Sequence, residues 1–135
     1  MKKNILLCAF LFVSAIVFAQ SKPFVLKVSG EAATPLQLSM QDIAAMPHCT
    51  VQANDRNGKP HEYSGVAVQY ILAKAGVATG KELRGENLSK YVLAKCADGY
   101  EVVYSLAELD SSFVRDLPVV ADTADGKPLQ EAKGP

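Results

Sequence analysis

Tryptophan is absent from the 135 residues, and phenylalanine and tyrosine number only five each. Oligosaccharide grooves ordinarily rest sugar rings on aromatic platforms, so this composition leans against one. Histidine occurs twice and cysteine three times, with no CxxC, HxH or HxxxH spacing, so no metal-site pattern is written in the chain. No excess of one charge exists: 14 Lys and Arg balance 14 Asp and Glu. That balance gives neither a basic patch for nucleic acid nor an acidic tail. Gly76, Gly80 and Gly85 fit neither GxxxxGK nor GxGxxG, which removes the common phosphate loops. No GxSxG elbow is present, and Ser29, Ser64 and Ser105 fall at turn or cap positions. The carboxylates are dispersed, and no catalytic pair can be picked from them by spacing.

The single long apolar run lies at the start. Lys2 and Lys3 precede residues 5–18, which are apolar except for Ser14. The run is short for a membrane span, and Val17-Phe18-Ala19 puts small residues where a signal peptidase reads. Residues 1–19 are therefore expected to be a cleaved secretory signal, leaving Gln20 first and the product periplasmic or secreted. Cys8 lies inside the apolar run rather than at its end, which argues against a lipoprotein. No later run has the length of a membrane helix, so no span is expected after processing. Residues 20–135 are enough for one domain with one core. Removing two lysines leaves this domain 12 basic against 14 acidic residues, a net charge of −2.

Along the chain, residues 23–28 read as a strand ended by Ser29-Gly30, and 36–38 as a short alternating piece. Ser39, with Asp42 three residues on, starts a short helix that Pro47 stops. Residues 48–53 alternate, with Cys49, Val51 and Ala53 on one face. Asn57-Gly58 turns them into a return strand at 61–63. Residues 66–75 form the strongest helix, with Val68, Ile71, Leu72 and Ala75 as its stripe and Gly76 as its stop. A polar loop is expected over 79–87. Residues 91–97 and 100–104 flank Asp98-Gly99 as the clearest hairpin. Ser105 with Glu108 repeats the capping-box spacing, residues 119–121 begin a last strand, and Asp125-Gly126 a last turn without an evident partner strand. The pattern is α+β: a mixed β-sheet domain with short interleaved helices and no internal repeat.

Few residues could carry chemistry. His48 and His61 read as surface histidines. Cys49 and Cys96, the two cysteines beyond the signal, each alternate onto an apolar strand face. Three readings stay open: small buried hydrophobes, a single disulfide if their strands are neighbours, or a reactive or metal-binding thiol.

A resemblance goes further. Gly30-Glu31, Thr34-Pro35-Leu36-Gln37-Leu38-Ser39 and Asp42-Ile43-Ala44-Ala45-Met46-Pro47-His48 resemble the opening of the molybdopterin-binding domain of sulfite-oxidase-type oxidoreductases. Tyr63-Ser64-Gly65-Val66-Ala67-Val68, Ile71-Leu72 and Ala75-Gly76 are similar to its Y-x-G-V helix entry. Ala97-Asp98-Gly99-Tyr100, Ser105-Leu106 and Glu108-Leu109 resemble its A-D-G-Y segment, and residues 129–135 its closing G-P run. The resemblance runs from about residue 24 to the end and implies that domain's fold, a redox activity and molybdopterin as cofactor. It also implies a molybdenum-ligating cysteine in a C-x-x-N-R motif. Aligning Val51-Gln52 on that motif puts Ala53 at the ligand position, with Asn54 and Arg56 as the nearest polar counterparts for cofactor binding. Cys49 lies four residues too early to take the role. The family continues past G-P with a further strand and an arginine-rich segment, so an incomplete or shortened C-terminal end is expected. Family members that carry molybdopterin are loaded in the cytoplasm and leave folded by the twin-arginine route. Lys2-Lys3 is not an arginine pair and looks like a general secretory signal, which threads an unfolded chain. The expectation is an exported, redox-related domain of the molybdopterin-binding type, with molybdopterin as the cofactor that the resemblance implies and no bound cofactor as the favoured state; the alternative function is a cofactor-free periplasmic binding or protein-interaction module on the same fold.

Overall fold

The computed structural model describes residues 24–129. The expected signal and the closing G-P run lie outside the described residues.

The chain opens with β1 (Val25–Val28) and β2 (Leu36–Ser39), an antiparallel pair with Leu26 opposite Leu38. Ser39 ends β2 and caps α1 (Met40–Ala44). Its hydroxyl accepts the Asp42 amide at 3.2 Å while Asp42 Oδ2 accepts the Ser39 amide at 2.8 Å. The reciprocal box expected from sequence is therefore formed, and it satisfies amides that a helix start leaves without partners.

The next strands are β3 (Cys49–Asn54) and β4 (Pro60–Ala67), joined by the Asn57-Gly58 turn. Asp55 Oδ1 accepts the Asn57 amide at 2.8 Å and the Lys59 amide at 2.9 Å, which fixes the loop. β4 runs further than its sequence suggests and takes Val66 and Ala67 away from the expected helix. The cause is β7 (Val119–Ala124), whose Val120 and Val119 pair with Val66 and Ala67. Helix α2 is thus Val68–Lys74, entered through the Val68 amide on the Pro118 carbonyl at 2.9 Å. Gly76, at φ +75°, supplies the left-handed stop.

The expected polar loop holds two 3-10 turns, Gly80–Glu82 and Gly85–Ser89, with Leu83 buried between them. The hairpin follows as β5 (Tyr91–Lys95) and β6 (Glu101–Ser105), and then a 3-10 turn, Leu106–Leu109, with the second capping box. After β7, the Asp125-Gly126 turn leads into β8 (Lys127–Pro128), a two-residue partner strand not legible beforehand.

The α+β architecture holds. Among the described residues every strand pairing is antiparallel, in three sheets: β1-β2, β3-β4-β7-β8 and β5-β6. Helix α2 joins the two halves of the core. Ile71 packs with Leu38, Ile43 and Val66, whereas Leu72 packs with Leu83, Leu106 and Leu109. Adjacent positions on one helix therefore serve two clusters, and Ala75, fully buried, completes the stripe read from sequence. No helix of the described residues is long and apolar enough to cross a membrane.

Candidate functional site

The titratable side chains that converge do so along the β3-β4-β7 sheet. β7 carries one residue more than β4 between its pairings: Ser64 faces Thr123 and Gly65 faces Ala121, which leaves Asp122 as the extra residue. Such a bulge re-aims a side chain. Here it brings Asp122 Oδ2 within 2.7 Å of His48 Nε2, the residue just before β3. His48 Nδ1 lies 2.8 Å from the Met46 carbonyl. Both neighbours can only accept, and a neutral imidazole has one N–H to give, so holding both bonds requires the imidazolium. The Asp122 hydrogen bond, then the Met46 carbonyl, accordingly raises the His48 pKa above its ordinary value. Asp122 Oδ1 is buried with no hydrogen-bond partner among the described residues.

His61 forms a second such fastening. Its Nδ1 is 2.6 Å from Asp125 Oδ2 and its Nε2 3.5 Å from Asp55 Oδ2. Asp125 sits at φ +50°, a left-handed conformation that Asp tolerates better than most residues. It is held there by exchanging hydrogen bonds with the backbone of Glu62: its amide donates to the Glu62 carbonyl at 2.7 Å, and its Oδ1 accepts the Glu62 amide at 3.0 Å. The His61 hydrogen bond, then that amide, holds the Asp125 carboxyl below the usual carboxylate range.

A third carboxylate, Asp110, is buried after the second capping box. It accepts from the Gly80 amide at 2.5 Å, the Ser112 amide at 2.8 Å and Gln69 Nε2 at 2.9 Å. Burial pushes its pKa up, but these donors together outweigh it and the net shift is downward. Gln69 turns its other end to the Ser111 amide at 3.1 Å, so one polar knot ties α2 to two loops.

The residues singled out from sequence do not converge. Ala53 stands on β3 opposite His61, Asn54 opposite Pro60, and Arg56 in the turn beyond, all three exposed. Cys49 is exposed on β3 rather than buried, because β3 is the outer strand of its sheet and its apolar-looking face lies largely in solvent. Cys96 is exposed beyond β5, in a different sheet. Both thiols are free, and the neighbouring strands a bridge needs are not neighbours. Among the described residues no three His, Cys, Asp or Glu side chains are grouped to hold a metal. Two clefts flank Tyr70 on α2. One of about 270 Å³ is lined by Ala67, Gln69, Tyr70, Ala73 and Thr79; the other, about 260 Å³, runs from Leu38 to Lys74. Neither includes a β3 residue, and both fall below the roughly 300–1,000 Å³ of small-molecule sites.

A family model for the oxidoreductase molybdopterin binding domain matches residues 14–135. The chain belongs to that family. No curated protein matches the chain. Among its described residues, this molybdopterin-binding-domain chain groups no side chains that fit the family's cofactor. Ala53, where the resemblance puts the metal ligand, carries only a methyl group, Cys49 lies four residues earlier on the strand, and neither of the two clefts beside Tyr70 reaches Ala53. Nor is a free base available at the histidines, since both nitrogens of each face carboxylate or carbonyl oxygens. The hydroxyls of Ser39 and Ser105 are engaged with their capping carboxylates at 2.7 and 2.9 Å. The His48–Asp122 and His61–Asp125 contacts fasten β7 and its turn to the β3-β4 hairpin. Asp122, Asp125 and Asp110 were not singled out from sequence. Asp125-Gly126 gave a turn signal, but nothing local connects Asp122 with His48, 74 residues earlier.

Proposed function

We propose that this family member is exported and works outside the cytoplasm as a cofactor-free binding or protein-interaction module. The observation that carries the reading is Ala53 at the metal-ligand position of an exposed strand. A methyl group cannot bond molybdenum, and no neighbouring thiolate substitutes for it. The dispersed Asn54 and Arg56, the small clefts on α2 and the fully engaged histidines support it. Lys2, Lys3 and the apolar run of residues 5–18 support export in an unfolded form, which is incompatible with carrying a cofactor buried in a folded site.

The decisive measurement uses protein recovered from the extracytoplasmic fraction of cells making the full chain. Elemental analysis and pterin fluorescence after oxidation are expected to find far less than one molybdenum or pterin per chain, and N-terminal sequencing to begin at Gln20. One pterin per chain would instead make it a redox enzyme, and retention in the cytoplasm with residues 1–19 intact would remove the export reading.

A further inference from the structure

The β5-β6 ribbon pairs with no other strand among the described residues, and its outer face sets Tyr91, Leu93 and Val103 beside Ser105 and the Lys95–Glu101 ion pair. Tyr91 is 67% exposed, Leu93 41% and Val103 61%. Cys96 pairs with Tyr100 through its amide at 2.8 Å, and Leu106 donates to the Lys90 carbonyl at 3.3 Å. These bonds fix the alternation of the ladder: positions 90, 92, 94 and 96 bond to β6. The N–H and C=O groups of Tyr91, Leu93 and Lys95 therefore point away from β6, and no other strand pairs with them among the described residues. An open edge of this kind is usually blunted by polar residues. On β3, also an outer strand, Thr50, Gln52 and Asn54 occupy the equivalent outward positions. On β5 they are a tyrosine, a leucine and one lysine.

We infer that the β5 edge is a self-pairing surface, whose partner is β5 of a second copy of this chain in antiparallel register. With Leu93 facing Leu93 of the partner subunit across a two-fold axis, Tyr91 falls opposite Lys95 of the partner subunit. Each of these residue pairs exchanges two backbone hydrogen bonds, so every free group of the three residues finds a partner. Other registers leave some unpaired, and sliding further sets lysine against lysine. The two-fold register also matches side chains. Each Lys95, already 2.8 Å from Glu101 on its own β6, comes to lie beside the Tyr91 ring of the other copy, a cation–π arrangement. Self-complementarity of one patch is what a two-fold dimer requires, and an unrelated partner strand has no reason to supply it. The inference is independent of the cofactor reading.

The test combines sedimentation velocity with amide hydrogen exchange on the purified exported chain, from micromolar to near-millimolar concentration. A monomer–dimer equilibrium is expected, with exchange at Tyr91, Leu93 and Lys95 slowed at least tenfold at the high end while Glu101 and Val103 stay unchanged. Leu93→Lys, which sets two like charges on the axis, is expected to abolish both effects; Val103→Lys, on the same face but the other strand, is expected to leave them. The charge swap Lys95→Glu with Glu101→Lys keeps the pair within the ribbon but sets a carboxylate on the partner's tyrosine. It is expected to weaken the dimer at least tenfold without unfolding the hairpin. A monomer at every concentration, a dimer whose β5 amides still exchange freely, or protection moved to β6 would each overturn the inference.

Discussion

At Gly65 the β7 bulge leaves β4 no room for a side chain. A Cβ added there would overlap the Val120 carbonyl and the Ala121 backbone, atoms that cannot swing aside as a side chain can. Gly65→Ala is therefore expected to cost about 2 kcal/mol or more, the scale of overpacking that shifts backbone. A lowered urea midpoint checks this, with Gly58→Ala as comparison: that residue has open space and only its φ of +79° to strain, about 1 kcal/mol. His48 makes a second prediction at this scale. Its pKa is raised in the folded protein, chiefly by Asp122. The imidazolium contact thus stabilises the fold fully below the unfolded histidine value of about 6.5, and the contribution is lost as pH rises through the higher folded value. Stability measured from pH 6 to 9 is expected to fall by a step that His48→Ala and Asp122→Asn both remove. If the wild type and the two variants decline in parallel, the pairing contributes nothing. The sequence shows His48 on the polar side of its strand, but not its partner. That pairing is made by a bulge, and the bulge follows from how β7 meets β4 and not from any local pattern.

At the scale of elements, the capping boxes were the most legible features because their physics is local. Ser39 with Asp42 and Ser105 with Glu108 satisfy helix-start amides within four residues, so the spacing alone suffices. Ser105→Ala removes the acceptor of the Glu108 amide and is expected to lower stability by about 1 kcal/mol. Ser105→Asp, which preserves a cap acceptor, is expected to recover most of it in the same chemical denaturation; equal losses would show that the hydroxyl is not the stabilising group. The helix stripe of α2 was legible for the same reason, and the point where β4 gives way to the helix was not. Val66 and Ala67 are apolar in either a helix or a buried strand. Only the arrival of Val120 and Val119, more than 50 residues later, selects strand. The face of Cys49 misled by the same route: alternation shows which residues share a face, and packing from elsewhere decides whether that face is covered; Cys96 shares a face with Val92, which packs on the core, and is exposed because β5 ends at Lys95.

For the whole molecule, the question is whether the fold needs anything beyond its own side chains. In the sequence, Ala53 and the lysine-led signal already pointed to a chain that folds after export without a cofactor. Leu38, Ile43, Val66 and Ile71 fill one cluster, and Leu72, Leu83, Leu106 and Leu109 the other, with α2 shared. Burying each such side chain contributes roughly 1.5–3 kcal/mol. Asp110, the buried charge, has its acceptor capacity met by Gly80, Ser112 and Gln69. A chain that crosses a membrane unfolded must recover all of this from its own sequence. Mature protein unfolded in urea and diluted into buffer containing a chelator is therefore expected to regain its tyrosine near-ultraviolet signal and its original urea midpoint, with no cell extract added. Recovery only in the presence of a pterin-containing extract, or a midpoint that drops after chelation, would mean that part of the fold is held by a group the side chains do not supply. The open β5 edge adds a condition. Unpaired strand edges make partly folded chains prone to associate, so the refolding yield is expected to fall with protein concentration, and Leu93→Lys to restore it.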